Sequence, residues 1–218
     1  ESLRRSNPEL VIRRDPVETL AMAESLRYFN ALTLHANFVH FGDFGADSLL
    51  VRALKEKQYR SRERVFRLLG LIYSQGDMRA AWTALEKGTT TEHASAEYLD
   101  NVLSGGLRKR VVLMADDMPI DERVRRTNLL FRTRRRTPED TLAQLIHDDD
   151  QIIAACAIHL AAEQGIQPLT DDIEYALSHR DPRDWYVFEA ASWALAGSRM
   201  SSDDRRARWN EPLPTVEL

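Results

Sequence analysis

The chain has 218 residues, of which 43% are hydrophobic and 29% are charged, with 9 glycines and 8 prolines. This composition is typical of a folded helical protein and excludes an intrinsically disordered one. The formal net charge of −4 gives no overall attraction to nucleic acid or to an anionic membrane surface, so such a partner would need a local basic patch. The longest apolar runs are much shorter than the roughly 18 residues that suggest a membrane-spanning helix.

The first predicted element is a capping helix within an N-terminal segment, residues 1–45. Asp15 is the expected N-cap, and Pro16 suits the first helical position that follows it. We expect this helix to cover residues 16–38. Its broad apolar stripe consists of Leu20, Met22, Ala23, Leu26, Phe29, Leu32 and Leu34. The stripe is expected to cover the exposed face of the first of the repeats that follow, as the terminal caps of solenoids do.

Residues 46–197 carry a leucine repeat that predicts stacked helical hairpins. Five leucines that close a helix are 30, 31, 30 and 35 residues apart: Leu69, Leu99, Leu130, Leu160 and Leu195. Five leucines on the preceding helices follow the same register: Leu54, Leu85, Leu113, Leu145 and Leu177. Because this period is typical of helical repeat proteins, we expect an all-α superhelix of about five helical hairpins, which resembles a HEAT/armadillo-like solenoid. Leu69, Leu99, Leu130 and Leu160 should be buried in it.

The turns between paired helices are polar. Residues 147–150 are His-Asp-Asp-Asp and residues 179–182 are His-Arg-Asp-Pro, in which Asp is suited to cap the second helix and Pro to occupy its first turn. Glycines at helix ends, such as Gly165 and Gly197, favour termination of the helix. After Gly197 the periodicity stops, so residues 198–218 are predicted to be a C-terminal tail.

The leucine-containing helix, the Asp-rich turn and the Ala-rich second helix of residues 142–164 resemble the HEAT family. A narrower resemblance covers residues 49–103, in the segments LLVRALKEK, RVFRLLGLIY and EYLDNVL. These segments are similar to the soluble HEAT region of some bacterial proteins that is joined to an ATP/ADP-translocase-like, nucleotide-exchanging transporter. The resemblance implies a stack of helical pairs on the cytoplasmic side of the bacterial inner membrane, in a longer protein that continues upstream of Glu1. It includes none of the transporter's own helices, so it assigns no transport residue to this chain.

Two groups of arginines are the strongest candidates for partner binding. Arg60, Arg64 and Arg67 lie on the second predicted helix of the first repeat, and Arg123 and Arg126 lie on that of the third. Further arginines extend the two groups: Arg62, Arg125, Arg132, Arg134, Arg135 and Arg136. Because second helices of HEAT units line the concave side, the first five are predicted to form a basic ridge that contacts an anionic partner. The alternative is a solvated helix face, on which Glu63, Asp121 and Glu122 are the neighbours.

Other candidate sites have structural explanations. His147 and the three aspartates after it carry metal-ligand atoms, but the same residues suit a capping turn. Cys156 lies in an apolar run and is predicted to be a small core residue in a reducing compartment. Trp82 and Trp193 are expected to pack in the core, whereas Trp185, beside a turn, is expected at the surface.

These features predict a non-enzymatic interaction or regulatory domain that needs no cofactor or metal. Its partner would be a protein segment or the attached transporter portion, and nucleic acid is the less favoured partner. Two alternatives share the architecture. A HEAT-like DNA-alkylation glycosylase would need a basic groove facing the DNA. A HEAT-type lyase subunit that attaches bilin pigments is indicated by nothing beyond the repeat.

Overall fold

The computed structural model describes residues 12–41, 48–87, 92–131, 136–181 and 183–197. Within these ranges all regular secondary structure is helical and there is no strand, which confirms the predicted all-α class. Three predicted features lie outside the described residues: the first part of the N-terminal segment, the tail 198–218, and Arg132, Arg134 and Arg135. None of the described helices combines the length and the apolarity needed to cross a membrane.

The chain forms two compact units. The first comprises Glu1–His40 and Leu54–Arg134, and the second comprises Phe41–Ala53 and Arg135–Leu218. The described helices that precede Arg135 are α1 (Arg14–Phe41), α2 (Leu49–Ile72), α3 (Gln75–Lys87), α4 (Glu92–Val102), α5 (Gly105–Ala115) and α6 (Ile120–Phe131). Those of the second unit are α7 (Pro138–Ile146), α8 (Gln151–Glu163), a 3₁₀ turn (Gln167–Leu169), α9 (Thr170–His179) and α10 (Trp185–Gly197).

The first predicted hairpin is a single helix. Leu54 and Leu69 both lie on α2, which is continuous from Leu49 to Ile72. The residues between the two leucines include no glycine or proline, so nothing local ends the helix there. The other four leucine pairs do lie on consecutive helices, from α3 and α4 to α9 and α10.

Helix α1 is a central element of the first unit. Its residues Tyr28, Phe29 and Leu32 are at most 3% exposed and share one apolar core with buried side chains of α2, α3, α4 and α5. The ring of Phe29 also packs against Phe131 of α6, with 5.4 Å between ring centroids. α1 therefore packs against several helices of the first unit.

The start and the apolar stripe of α1 differ from the prediction. The helix begins at Arg14, so Asp15 lies in its first turn and is not the N-cap. Leu20 and Leu26 are 56% and 40% exposed, whereas Tyr28 is buried. The stripe was misplaced because apolar residues occur on nearly every side of this helix, which leaves the buried face poorly defined by sequence.

Burial of the closing leucines follows the predicted register with one exception. Leu69 and Leu99 are fully buried and Leu160 is 7% exposed, as expected. Leu130 is 37% exposed, and its predicted burial is wrong. Helix α6 instead turns Thr127 and Phe131 inward, and Leu130 precedes Phe131 by one residue, which places it about 100° away around the helix.

The second unit shows one of its two predicted caps, at Asp150, and one that was not predicted, at Thr137; α10 begins only at Trp185, so Asp181 is not its N-cap. Thr137 Oγ1 accepts a hydrogen bond from the Asp140 amide at 3.1 Å, and Pro138 occupies the first turn of α7. Asp150 caps α8 by accepting from the Ile152 amide at 3.0 Å. Gly165, with φ of 64°, follows α8 in the left-handed conformation that favours glycine at a helix end. α8 packs against α7 and α10, and α9 packs against α10.

Candidate protein-binding groove

Two of the predicted ridge arginines pair with carboxylates of their own helix. Arg60 Nε lies 3.0 Å from Glu56 Oε1, and Arg67 Nη2 lies 2.7 Å from Glu63 Oε1. In both pairs the glutamate lies four residues earlier on α2, the spacing at which side chains on a helix meet. This part of α2 is therefore a mixed-charge face.

The ridge arginines of α6 also have intrachain partners. Arg123 Nη2 donates to the carbonyl oxygens of Asp116 and Met118, at 2.7 Å and 3.3 Å, and so satisfies backbone groups just after α5. Arg126 Nε donates to Glu122 Oε1 at 2.7 Å. These two arginines thus stabilise the connection between α5 and α6 and the first turns of α6.

An open groove of about 800 Å³ lies along α2 and α3 in the first unit. Phe66 of α2 and Met78 and Trp82 of α3 supply an apolar floor, and Glu24 contributes from α1. The groove forms because α2 and α3 are joined by a turn of two residues, Tyr73 and Ser74, which brings the two helices side by side. Arg64 and Arg67 line it, whereas Arg60, Arg123 and Arg126 do not.

Trp82 is fixed by neighbours on α2. Its ring lies 5.5 Å from that of Tyr59 and 5.6 Å from that of Phe66, measured between centroids. The guanidinium of Arg62 lies 5.3 Å from the centre of the same ring, in a cation–π arrangement. Trp82 is half-buried and packs against the core, so the predicted packing role is correct, but the same side chain also lines the groove.

The charged residues of the groove are equally divided between the two signs: Glu24, Glu63 and Glu86, with Arg64, Arg67 and Arg79. Two of these carboxylates accept hydrogen bonds at the edge of the groove. Glu63 accepts from Arg67 at 2.7 Å, and Glu86 accepts from the Tyr59 hydroxyl at 2.9 Å. The hydrogen bond from Tyr59 to Glu86 is the largest cause of a raised pKa of the Tyr59 phenol, so this donor keeps its proton.

Glu24 is a buried carboxylate at the wall of the groove. The residue is 7% exposed, and its Oε2 accepts from Arg27 Nη1 at 3.1 Å. Its Oε1 has no hydrogen-bond partner among the described residues, but it lies 3.6 Å from Arg64 Nη1. The Arg64 side chain is 59% exposed. Arg64 therefore forms an ion pair with Glu24 while more than half of its side chain remains exposed.

Arg64 and Arg67 were predicted as candidate binding residues from the sequence, but the rest of the groove was not. Trp82 follows Met78 by four residues, and this spacing places both on one face of α3. That pattern, next to the short turn after α2, was the available signal. Glu24 carried no such signal, because an acidic residue on a helix is usually solvated.

The second unit has a separate aromatic surface. Trp193 of α10 is 38% exposed and stacks on His159 of α8, with centroids 4.6 Å apart and ring planes 3° from parallel. The expectation that Trp193 is a core residue is therefore wrong, because α10 turns Val187, Ala191 and Ala194 inward. Trp185 is 54% exposed, as predicted.

Cys156 is half-buried on α8, less buried than expected. Burial, and secondarily the charge of Asp150, raise the pKa of the Cys156 thiol, which keeps it protonated near neutral pH. His147 does not share a site with the aspartates beside it: its Nε2 lies 2.7 Å from Asp172 Oδ1 of α9. No group of side chains suited to hold a metal ion occurs within the described ranges.

Comparison with protein-family models, with curated proteins and with solved structures finds no match to this chain. The geometry of the groove is consequently the principal basis for a functional conclusion.

Proposed function

We propose that the chain is a non-enzymatic interaction domain that binds a segment of a partner protein in the groove along α2 and α3. The observation that carries this proposal is the half-buried Trp82, held by Tyr59, Phe66 and Arg62, at the floor of a groove with charged edges. Apolar anchors surrounded by polar groups are the usual composition of a protein interface.

The size and the lining of the groove suit an amphipathic helix. About 800 Å³ is enough to take several side chains, and an apolar floor between two helices matches the apolar stripe of a helical ligand. Such a ligand places residues i, i+3 or i+4, and i+7 against one groove. Leu68, Leu71 and Trp82 are the partly exposed apolar side chains that those residues would contact, above the buried Phe66 and Met78.

The DNA-glycosylase alternative requires a basic groove. This groove contains three glutamates beside three arginines, and the carboxylates would repel a phosphate backbone. Arg123 and Arg126, which were expected to add positive charge, do not line it. The mixed lining favours a peptide over a nucleic acid.

The test is a selection from a library of helical peptides against the whole chain. We expect the selected peptides to carry apolar residues at helical spacing. Their affinity should fall at least tenfold with Thr83→Trp, which fills the groove, and should persist with Thr83→Ala, which leaves it open. Circular dichroism checks that both variants are folded. Peptides whose binding is indifferent to Thr83→Trp would place the interaction elsewhere and refute the proposal.

For the biological partner, we propose the membrane transporter portion that the resemblance in residues 49–103 implies. The HEAT-type repeat, the bacterial origin and the position on the cytoplasmic side of the inner membrane belong to the same proposal. A regulatory role requires the domain to bind two states of the transporter differently, since equal binding shifts neither population. Deletion of residues 16–197 should then change transport rate or its control and leave membrane insertion intact. An unaltered transport rate and an unaltered assembly would contradict the proposal.

A further inference from the structure

We infer that the groove selects an acidic helical segment, with a carboxylate of the partner bound by Arg64 beside an apolar residue that packs on Trp82. This inference rests on the proposed function and specifies the chemistry of its partner. It follows from which charged groups of the groove are already engaged within the chain.

Each carboxylate of the groove accepts a hydrogen bond from a group of this chain. Glu63 accepts from Arg67, and Glu86 accepts from the hydroxyl of Tyr59. Glu24 is buried; its Oε2 accepts from Arg27, and its Oε1, which accepts no hydrogen bond from the described residues, lies 3.6 Å from Arg64 Nη1. A cationic ligand would therefore share each carboxylate with a group of this chain.

The arginines keep unused donors. A guanidinium has five N–H groups, and Arg64 donates none of them in a hydrogen bond to the described residues, since its contact with Glu24 is an ion pair at 3.6 Å. Arg79 is exposed and has no ion pair within the part of the chain that the structure describes. The groove thus presents donors that an incoming carboxylate can use without displacing a partner.

Glu24 makes Arg64 a positioned donor. A buried carboxylate fixes one side of a guanidinium more firmly than a solvated one, because the interaction is less screened. The planar group can then offer its free edge to a carboxylate in the two-hydrogen-bond geometry typical of arginine. The cost of ordering this side chain is reduced before the partner arrives.

Peptide, and not nucleic acid, fits this arrangement. Arg64 and Phe66 lie on the same helix as Glu63, and Glu86 lies one turn after Trp82 on α3. A single carboxylate next to an apolar side chain satisfies this pattern, whereas a run of phosphates would meet the negative charges of Glu63 and Glu86.

The experiment compares one selected groove-binding peptide in three forms, with Glu, Gln or Lys at the position expected to face Arg64. Affinities are measured against the whole chain and against its Arg64→Glu variant. Arg60→Glu is the matched control, because Arg60 is an exposed arginine of the same helix, also paired with a glutamate, that lies outside the groove. A single-stranded DNA oligonucleotide is tested as a competitor.

We expect the Glu peptide to bind at least tenfold more tightly than the Gln peptide and to weaken as salt is raised. Arg64→Glu should reverse the preference toward the Lys peptide, and Arg60→Glu should change each affinity less than threefold. Equal binding of all three peptides, or a preference for Lys by the unmodified chain, would overturn the inference and leave the proposed function standing. Displacement by the oligonucleotide at lower concentration than by the Glu peptide would also overturn it. Failure of every peptide to occupy the groove would overturn the proposed function itself.

Discussion

The imidazole of His35 lies buried in α1, where the positive charge of Lys55 on α2 acts on it. The residue is 7% exposed, and neither ring nitrogen has a hydrogen-bond partner among the described residues. Burial is the larger cause, and Lys55 the smaller one, of a lowered pKa of His35. Both effects disfavour the imidazolium.

This arrangement predicts a stability that depends on pH. Because the pKa of His35 is lower in the folded chain than in the unfolded one, the unfolded chain binds the additional proton first. The folded state is therefore favoured at pH values above about 6.5 and loses that advantage as pH falls below it. Urea denaturation between pH 5 and 8 should show a smaller pH dependence of the unfolding free energy in His35→Leu than in the unmodified chain. The same pH dependence in both would show that His35 does not cause it.

Leu99→Ala should destabilise the first unit by about 2 to 5 kcal/mol, because it removes a large side chain from a site with no solvent exposure. Leu129→Ala is the matched control. Leu129 is 70% exposed, so its truncation should change the unfolding free energy by less than about 0.5 kcal/mol. Urea denaturation measures both. Equal effects of the two substitutions would contradict the burial of Leu99.

Thr137→Ala should lower the free energy of unfolding by about 1 kcal/mol, because it removes the oxygen that accepts a hydrogen bond from the Asp140 amide at the start of α7. Thr137→Ser keeps that oxygen, so its free energy of unfolding should stay close to that of the unmodified chain. The comparison is made by thermal or urea denaturation. If serine is as destabilising as alanine, the hydroxyl is not the stabilising group.

Glu122 should titrate with a pKa of about 2 because Arg125 and Arg126 donate hydrogen bonds to its carboxylate. Since this pKa is lowered in the folded chain, the interaction favours folding above the ordinary pKa of a glutamate and is lost as pH falls toward 2. Replacing both arginines by glutamine should return the pKa toward 4.5, as measured by NMR titration of the side-chain carboxyl. An unchanged low pKa in that variant would exclude the arginines as its cause.

Much of the helical pattern could be predicted from the sequence, and its failures have local physical causes. Four leucine pairs fall on consecutive helices because polar turns, capping residues and glycines separate those helices clearly. Leu54 and Leu69 were assigned to different helices because the leucine spacing was the evidence used, and the spacing cannot distinguish one long helix from two short ones. Leu130 was assigned to the core for a similar reason: its neighbour Phe131 continues the apolar run and occupies the inward position.

The groove was harder to predict because it depends on contacts between distant residues. Arg64 was recognised as a charged candidate, but its buried partner Glu24 lies 40 residues earlier, on α1. Nothing in the local sequence of either residue indicates this pair. The hydrogen bond that the Tyr59 hydroxyl donates to Glu86 is likewise a contact between two helices. It affects which charged groups of the groove remain available to a partner.

The position of α1 also has a consequence for the order of folding. Arg110 of α5 donates hydrogen bonds to the Met22 carbonyl oxygen and the Ser25 hydroxyl of α1, which are 88 and 85 residues away along the chain. The ring of Phe29 on α1 packs against Phe131, at the end of α6. As the chain leaves the ribosome, α1 is synthesised long before α5 and α6 are available to cover it. Closing loops of this length costs entropy before the contacts compensate for it, which slows the final assembly. Among the described helices of the first unit, α1 is thus made first and fully enclosed last, and until then its Tyr28 and Phe29 are exposed to association with other chains.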